Sequence, residues 1–282
     1  MSSNGTLYIV STPIGNLGDI TIRAIETLKM IDIILAEDTR VSSRLLNHLG
    51  ITSKKLIPFH DHNESEKISY IKSLLDEGNN IALISDAGTP IISDPGYKLI
   101  HQLKQENYSV IPIPGVSACI TALSASGIAS DKFQFLGFLP HKSTGRIKAL
   151  EAIKNYNGST IIYESVHRIE DLILDATNVF SSDIIISIGR ELTKKFEEII
   201  TDTLANIQES LKQNPDKIKG EYVVIFTGFD KQDEDQNNLS LEKILKPLIS
   251  ALPLKQAVKV TCEITGKRKN EVYELALHLK EN

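Results

Sequence analysis

The chain has 282 residues, of which 41% are hydrophobic and 24% charged, so it is long enough for two medium-sized domains with buried cores. Its formal net charge of -5 argues against wholesale electrostatic binding to nucleic acid, although a local basic patch is compatible with it. The two cysteines, Cys119 and Cys262, lie far apart without a CxxC motif, which argues against a disulfide framework and a zinc ribbon. No run approaches the roughly 20 apolar residues of a membrane span and no signal-peptide pattern opens the chain, so we expect a cytoplasmic protein with no membrane contact.

The first 115 residues alternate short apolar runs with helical patterns, which predicts an α/β domain with a mostly parallel sheet. Strands are predicted at residues 7–10, 33–36, 56–58, 81–85 and 110–113, and helices at 21–31 and 97–105. Polar, Gly or Pro residues follow every strand. Because parallel strands end at the same edge of a sheet, we expect five loops to gather where such sheets bind ligands.

The pattern changes after a helix predicted at residues 116–126. Strands are predicted at residues 133–139, 160–163, 184–188, 196–201 and 222–226, with helices at 144–154, 168–180 and 204–213. The short gap before the strand at 196–201 favours a hairpin and therefore a mixed sheet. The polar run DKQDEDQNN is typical of a solvated linker, and helices are predicted beyond it at 241–250, 254–265 and 269–280. The predicted domains are 1–115 with a parallel sheet, 116–229 with a mixed sheet, a linker at 230–239 and a helical appendage at 240–282.

Two of the predicted loops are suited to holding a ligand with backbone groups. Neither GxxxxGK[ST] nor GxGxxG is present, which disfavours a nucleotide triphosphatase and a common dinucleotide oxidoreductase. In the loop at residues 85–96, Asp94 is placed to cap the next helix with Pro95 at its first position, whereas Asp86 at the strand end has no such local role. The loop at residues 112–118 puts small residues at a helix start, where free amides bind an anionic or carbonyl oxygen.

These loops resemble, in order, those of the tetrapyrrole-methylase superfamily. The shared motifs are STPIGNLGDIT, AEDTR, SDAGTPIISDPG, PGVSA, FLGFLP, YESVHR and GRELTKKFEE, which span residues 6–227. The residues within these motifs are similar to those of a branch of the superfamily that modifies ribosomal RNA. The tail KQAVKVTCEITGKRKNEVYELAL resembles the C-terminal appendage of that branch. The resemblance implies two α/β domains of the tetrapyrrole-methylase type plus a small C-terminal helical appendage. It also implies S-adenosylmethionine as methyl donor, a homodimer, and a cytidine 2′-hydroxyl in the decoding region of 16S ribosomal RNA, free or in the small ribosomal subunit, as acceptor.

The same resemblance, carried over position by position, implies a donor site. Its residues would be Pro13, Gly15, Asn16, Asp86, Ala87, Gly88 and Asp94, then Ser117 and Ala118, with residues of YESVHR, Gly220 and Glu221 closing the far side. The loop STPIGNLGDIT keeps only part of the GxGxGDxxLT pattern of the porphyrin-type relatives. This departure argues against a tetrapyrrole substrate.

Methylation of a ribose hydroxyl, a very weak acid, gains from a general base or from a cation that favours the developing alkoxide. Glu37 and Glu164 are the predicted proton acceptors, while Arg40 and Arg190 are predicted to contact phosphate or ribose at the catalytic site. An ion pair across the hairpin is the alternative role for Arg190. His60 and His62 flank an aspartate but no further well-spaced ligand follows, so no metal is predicted.

Two basic clusters are predicted to contact RNA, with an ordinary solvated surface as the alternative for each. The first is Lys142 and Arg146 in the FLPHKSTGR loop, and the second is Lys267, Arg268 and Lys269 in a turn between two helices. Arg168, in YESVHR, is also predicted to bind RNA through phosphate or ribose. Two other functions remain open from the sequence. One is methylation of another acceptor, a tetrapyrrole or a protein side chain, and the other is an inactive RNA-binding assembly factor.

Overall fold

A computed structural model describes residues 4–214, 220–228, 241–267 and 269–281. The chain forms two compact units, residues 1–228 and residues 229–282. The first unit contains two five-stranded sheets, and the second is built from helices. The predicted linker lies outside the described residues.

The first sheet is parallel throughout. Its strands are β1 (Thr6–Val10), β2 (Ile33–Ala36), β3 (Lys55–Pro58), β4 (Ile81–Ile84) and β5 (Ser109–Ile113), in the order β3-β2-β4-β1-β5. Every residue of β2 and β4 is buried, as expected for central strands that are covered on both faces. The predicted gathering of five loops at one edge of this sheet is confirmed, because all five strands run in the same direction.

Four helices cover the first sheet: α1 (Ile22–Met30), α2 (Thr39–His48), α3 (Glu64–Asp76) and α4 (Tyr97–Gln105). Apolar residues of α1 and α2 pack in one core, and those of α3 and α4 pack in another. Helix α2 begins directly after β2, where Asp38 accepts a hydrogen bond from the Arg40 amide at 2.8 Å. Arg40 therefore lies in the first turn of a helix, and not in a loop.

The second sheet is mixed, as predicted. Its strands are β6 (Phe133–Phe138), β7 (Ser159–Ser165), β8 (Ile185–Arg190), β9 (Glu198–Thr203) and β10 (Glu221–Phe226), in the order β6-β7-β10-β8-β9. Only β6 and β7 pair in parallel, and β8 and β9 form the predicted hairpin. The helices of this region are α5 (Ala118–Ser126), α6 (Ser143–Lys154), α7 (Ile169–Val179) and α8 (Leu204–Gln213). Residues of α5 share a core with β7 and β10.

The second unit contains α9 (Leu241–Ala251), α10 (Leu254–Thr265) and α11 (Lys269–Glu281). These helices pack around a small apolar core of Leu245, Ala257, Val258, Val272 and Ala276. Helix α10 ends at Gly266, whose φ of +68° is the left-handed conformation that glycine favours. Among the described residues, no helix has the length and apolar character needed to cross a membrane.

Candidate active site

A cleft of about 270 Å³ lies between loops at the carboxyl ends of the first sheet and residues of the second sheet. Its volume is near the lower end of the roughly 300–1,000 Å³ range of small-molecule sites. One wall includes Ile14, Glu37, Asp86, Ala87, Gly88, Thr89, Ile92, Ser93, Asp94, Ser117 and Ala118, and the other includes Phe138, Tyr163, Glu164, Glu191, Leu192, Lys194 and Glu221.

Hydrogen bonds join three loops of the first wall. Thr12 and Gly88 exchange two backbone hydrogen bonds, at 2.8 and 3.0 Å. The Thr12 hydroxyl donates to the Ser85 carbonyl at 3.1 Å, and the Thr89 hydroxyl donates to the Val116 carbonyl at 2.9 Å. The loops after β1, β4 and β5 are thereby held in a fixed relation, which preorganises the groups that face the cleft.

Three carboxylates of the first wall have raised pKa values. Burial raises the pKa of Glu37, with a further contribution from the nearby charge of Asp86. Burial also raises the pKa of Asp86, although its Oδ1 accepts a hydrogen bond from the Asp38 amide at 3.0 Å. Burial, and next the charge of Glu37, raise the pKa of Asp94 to about 7. Since the charge of Asp86 penalises ionisation of Glu37, and the charges of both penalise ionisation of Asp94, this wall favours a cationic ligand.

The prediction that Asp94 caps a helix is wrong. Helix α4 begins at Tyr97 with Gly96 at the N-cap, where φ is +130°, so the chain stays in a loop for two residues beyond Asp94. Ile91 and Ser93 in the same loop have φ values of +79° and +70°, which are unusual for residues that carry a Cβ. Such strained backbone is concentrated at ligand-binding sites, and Asp94 itself lines the cleft.

The second wall carries a buried carboxylate. Glu164 near the end of β7 is 1% exposed, and its Oε1 accepts a hydrogen bond from the Ser165 amide at 2.8 Å. Its Oε2 has no hydrogen-bond partner among the described residues, but the Arg168 Nη2 lies 3.3 Å away and compensates its charge. A buried carboxylate oxygen that is free to accept a hydrogen bond is a feature of a site built for a ligand.

Aromatic residues complete this wall. The Tyr163 hydroxyl accepts a hydrogen bond from the Cys119 amide at 3.1 Å, which links β7 to the start of α5. Burial raises the pKa of Tyr163, so it is a neutral phenol at physiological pH. Phe138 packs edge-on against Tyr163 with its ring partly open to solvent. The family resemblance implies that residues of YESVHR close the far side of the donor site, and Tyr163 of that motif lines the cleft, whereas it implies no role for Phe138 of FLGFLP.

The predicted RNA contact by Arg146 is wrong, because its side chain is 3% exposed. The Arg146 Nε donates to Asp175 at 2.6 Å, which joins α6 to α7. Arg168 is also engaged internally: its Nη2 donates to the Leu139 and Pro140 carbonyls at 2.8 and 3.2 Å. These contacts give both arginines a structural role, because they join neighbouring elements of the fold. We therefore propose neither as an RNA contact.

The other predicted arginines and lysines lie outside the cleft lining. Arg40 is exposed and paired with Asp38, and Arg190 donates to Glu198 at 2.7 Å across the β8–β9 hairpin, as in the alternative considered for it. Lys142 is exposed at the N-cap of α6. In the second unit, Lys267 is half-buried just after α10 and Lys269 is exposed at the start of α11, whereas Arg268 lies outside the described residues.

The residues predicted to bind the donor divide into two groups. The cleft lining contains Asp86, Ala87, Gly88, Asp94, Ser117, Ala118 and Glu221, together with the predicted catalytic residues Glu37 and Glu164. The lining does not contain Pro13, Gly15, Asn16 or Gly220.

Two of the predicted donor residues outside the lining are glycines that let neighbouring loops approach closely. A Cβ on Gly15 would lie 2.5 Å from the Lys194 Cγ. A Cβ on Gly220, whose φ is +81°, would lie 1.8 Å from the Glu191 carboxylate. These glycines therefore shape the cleft without lining it. Among the described residues, no three His, Cys, Asp or Glu side chains are grouped as metal ligands.

Comparisons with known proteins agree with the resemblance of the motifs. Residues 6–208 match the family model described as "Tetrapyrrole (Corrin/Porphyrin) Methylases", and residues 235–280 match "RsmI C-terminal HTH domain". Ribosomal RNA small subunit methyltransferase I of Haemophilus influenzae is 48% identical over 278 residues, covering 98% of each chain. The protein of that name from Pasteurella multocida is 46% identical and covers 97% of each chain. The crystal structure of diphthine synthase has the same fold, with a TM-score of 0.61 at 13% identity over 79% of this chain and 90% of that chain.

Proposed function

The chain belongs to the tetrapyrrole (corrin/porphyrin) methylase family, and on that basis we propose that it methylates a cytidine 2′-hydroxyl in the decoding region of 16S ribosomal RNA. S-adenosylmethionine is the methyl donor in this family. Relatives nearly as long as the chain carry the name of a small-subunit ribosomal RNA methyltransferase, which supports an RNA acceptor. The observation that carries the proposal is the acid-rich, partly buried cleft between the two sheets.

The residues of the cleft fit this donor. S-adenosylmethionine supplies a methyl group on a positively charged sulfonium, and its amino group carries a second positive charge. Glu37, Asp86 and Asp94 would hold cationic parts of the donor. Their raised pKa values show that the ionised carboxylates are disfavoured in the free protein, and a bound cation would stabilise the ionised form. Ser117 and Ala118 at the start of α5 would hold an anionic group, because the first amides of a helix are available as donors.

The transfer itself requires alignment of the acceptor oxygen with the donor and removal of one proton. We assign the proton to Glu164 at Oε2, which is buried at the cleft and has no hydrogen-bond partner among the described residues. Arg168 acts through Glu164 and through the carbonyls that follow Phe138, so it is a positioning residue. Tyr163 stays protonated and fixes the start of α5 against this wall.

Basic residues at the start of α6 and in the C-terminal helices support RNA as the acceptor. Lys142 is exposed at the start of α6, and Lys267 and Lys269 flank the turn of the second unit. With Arg268, these lysines supply the positive charge that contact with an RNA backbone requires. We further propose a cytoplasmic homodimer acting on the small ribosomal subunit, and domain boundaries near residues 115 and 229. The family resemblance and the two separate sheets support these proposals.

Methyl transfer from labelled S-adenosylmethionine tests the proposal when three acceptors are compared. They are small ribosomal subunits that lack the modification, a tetrapyrrole, and a total protein extract. The proposal predicts label in the RNA of the subunits alone. Label in either of the other acceptors would favour the alternative methylase. RNA binding without transfer, despite donor binding, would favour an inactive assembly factor.

A further inference from the structure

The hairpin loop between β8 and β9, residues 191–197, exposes an aromatic ring beside the cleft. Phe196 is 66% exposed, more than any other phenylalanine among the described residues. The Lys195 Nζ lies 5.5 Å from the centre of this ring, within the range of a cation–π contact. An exposed cation and an exposed aromatic face are therefore presented together at the tip of one hairpin.

Backbone hydrogen bonds stabilise turns within the exposed 191–197 loop. The Lys194 amide donates to the Glu191 carbonyl at 3.0 Å, and the Glu197 amide donates to the Lys194 carbonyl at 3.1 Å. Glu191 and Thr193 have φ values of +47° and +65°, which residues with a Cβ adopt only where the surroundings impose them. Since this backbone is strained, its conformation is not explained by local stability.

The acidic side chains of the loop are engaged within the protein. Glu191 pairs with Lys194 at 2.9 Å, and Glu198 just beyond the loop pairs with Arg190. The Glu197 carboxylate accepts a hydrogen bond from the Thr193 amide. The amide donor leaves the negative charge of Glu197 in place, so an exposed lysine, Lys195, and an exposed carboxylate, Glu197, flank Phe196 at the tip.

The 191–197 loop also touches the first wall of the cleft. The Asn16 amide donates to the Thr193 hydroxyl at 3.1 Å, and Gly15 lies against Lys194. Lys194 itself lines the cleft. Phe196 thus follows a residue of the cleft lining by two positions.

We propose that Lys195 and Phe196 bind a nucleotide next to the acceptor nucleotide in single-stranded RNA. The base stacks on the Phe196 ring and its phosphate meets the Lys195 ammonium; this inference rests on the proposed function. Stacking on an exposed aromatic with a neighbouring cation is the common way in which proteins hold single-stranded RNA. It also accounts for the positive φ values of Glu191 and Thr193, since strained backbone is concentrated at ligand-binding sites.

The test measures the KM for unmodified small ribosomal subunits with full-length protein at saturating S-adenosylmethionine. Phe196→Ala is expected to raise this KM about tenfold, since one stacked base is worth roughly 1–3 kcal/mol. Phe196→Tyr should restore it, because the tyrosine ring stacks equally well. Phe133→Ala is the matched control: Phe133 is 41% exposed but lies at the end of β6 away from Phe138 and the cleft, and its KM should stay at the wild-type value.

A second experiment measures the salt dependence of RNA binding. Lys195→Ala should lower the slope of log affinity against log salt by about one, as expected for one lost phosphate contact. Each variant is checked for its dissociation constant for S-adenosylmethionine and its oligomeric state by light scattering. Wild-type transfer with an unchanged KM for Phe196→Ala overturns this inference and leaves the proposed function intact. A Phe196→Ala protein that alters dimerisation, with RNA affinity unchanged, also overturns it. Absence of transfer by the wild type overturns the proposed function.

Discussion

The affinity for S-adenosylmethionine should increase with pH, because Asp94 has a pKa of about 7 in the free protein. A carboxyl with a raised pKa binds a proton below that pH, whereas a cationic ligand favours its charged form. Binding must therefore displace the proton. The charged fraction of Asp94 is about one tenth at pH 6 and about nine tenths at pH 8, so the affinity should rise about tenfold, equal to about 1.4 kcal/mol.

Isothermal titration calorimetry at pH 6, 7 and 8 measures this change. Titrations at pH 7 in buffers of different ionisation enthalpy should show release of about half a proton per donor bound. Asp94→Asn is the matched control, because an amide of the same shape has no proton to lose. Its affinity should be lower at pH 8 and should depend less on pH than that of the wild type. Equal pH slopes for the two proteins would refute the assignment of Asp94 to the donor.

Three further predictions concern the base, the fold and the tail. Glu164→Gln should lower kcat by about 10²–10⁴-fold with donor affinity retained, because it removes a proton acceptor; loss of donor binding instead would reject that role. Asp175→Asn should lower the free energy of unfolding in urea by about 3 kcal/mol, since it removes the buried carboxylate that pairs with Arg146 and leaves the guanidinium only the Asp171 carboxylate at 3.9 Å and the His141 carbonyl at 3.4 Å; Asp171→Asn, at a 68% exposed side chain, should change it by less than about 1 kcal/mol. Replacing Lys267, Arg268 and Lys269 by alanine should weaken RNA binding and flatten its salt dependence; an unchanged salt slope would return this turn to an ordinary solvated surface.

The local periodicity of the sequence was sufficient to predict most of the strands. The apolar run at residues 33–36 and the predicted helix at residues 97–105 match β2 and α4 residue for residue. The hairpin of β8 and β9 followed from the short gap between two strands. These features depend on residues close together in the chain, and for that reason a sequence pattern can indicate them.

The errors arose where tertiary contacts decide the outcome. A Pro at position 95 is typical of a helix start, but Gly96 adopts a φ of +130° and keeps the loop open. The RNA contact predicted for Arg146 depends on a basic loop that begins at a strand end near the domain junction, and only the packing of α6 on α7 reveals Asp175 beside it. The family resemblance implies a place for YESVHR, and hence Tyr163, at the donor site, but the hydrogen bond of Tyr163 with the Cys119 amide depends on the approach of α5 to β7, which no local spacing encodes.

The most direct test of the proposed reaction is an alkaline hydrolysis ladder of 16S ribosomal RNA from unmodified small subunits, before and after incubation with the protein and S-adenosylmethionine. A methyl group on a ribose 2′-oxygen protects the adjoining phosphodiester bond, because that oxygen can no longer attack it. We predict one new gap, after a single cytidine of the decoding region, and no such gap with Glu164→Gln over the same time. A ladder without a gap, although the donor binds and a methyl group is transferred to the RNA, would contradict methylation of the 2′-hydroxyl.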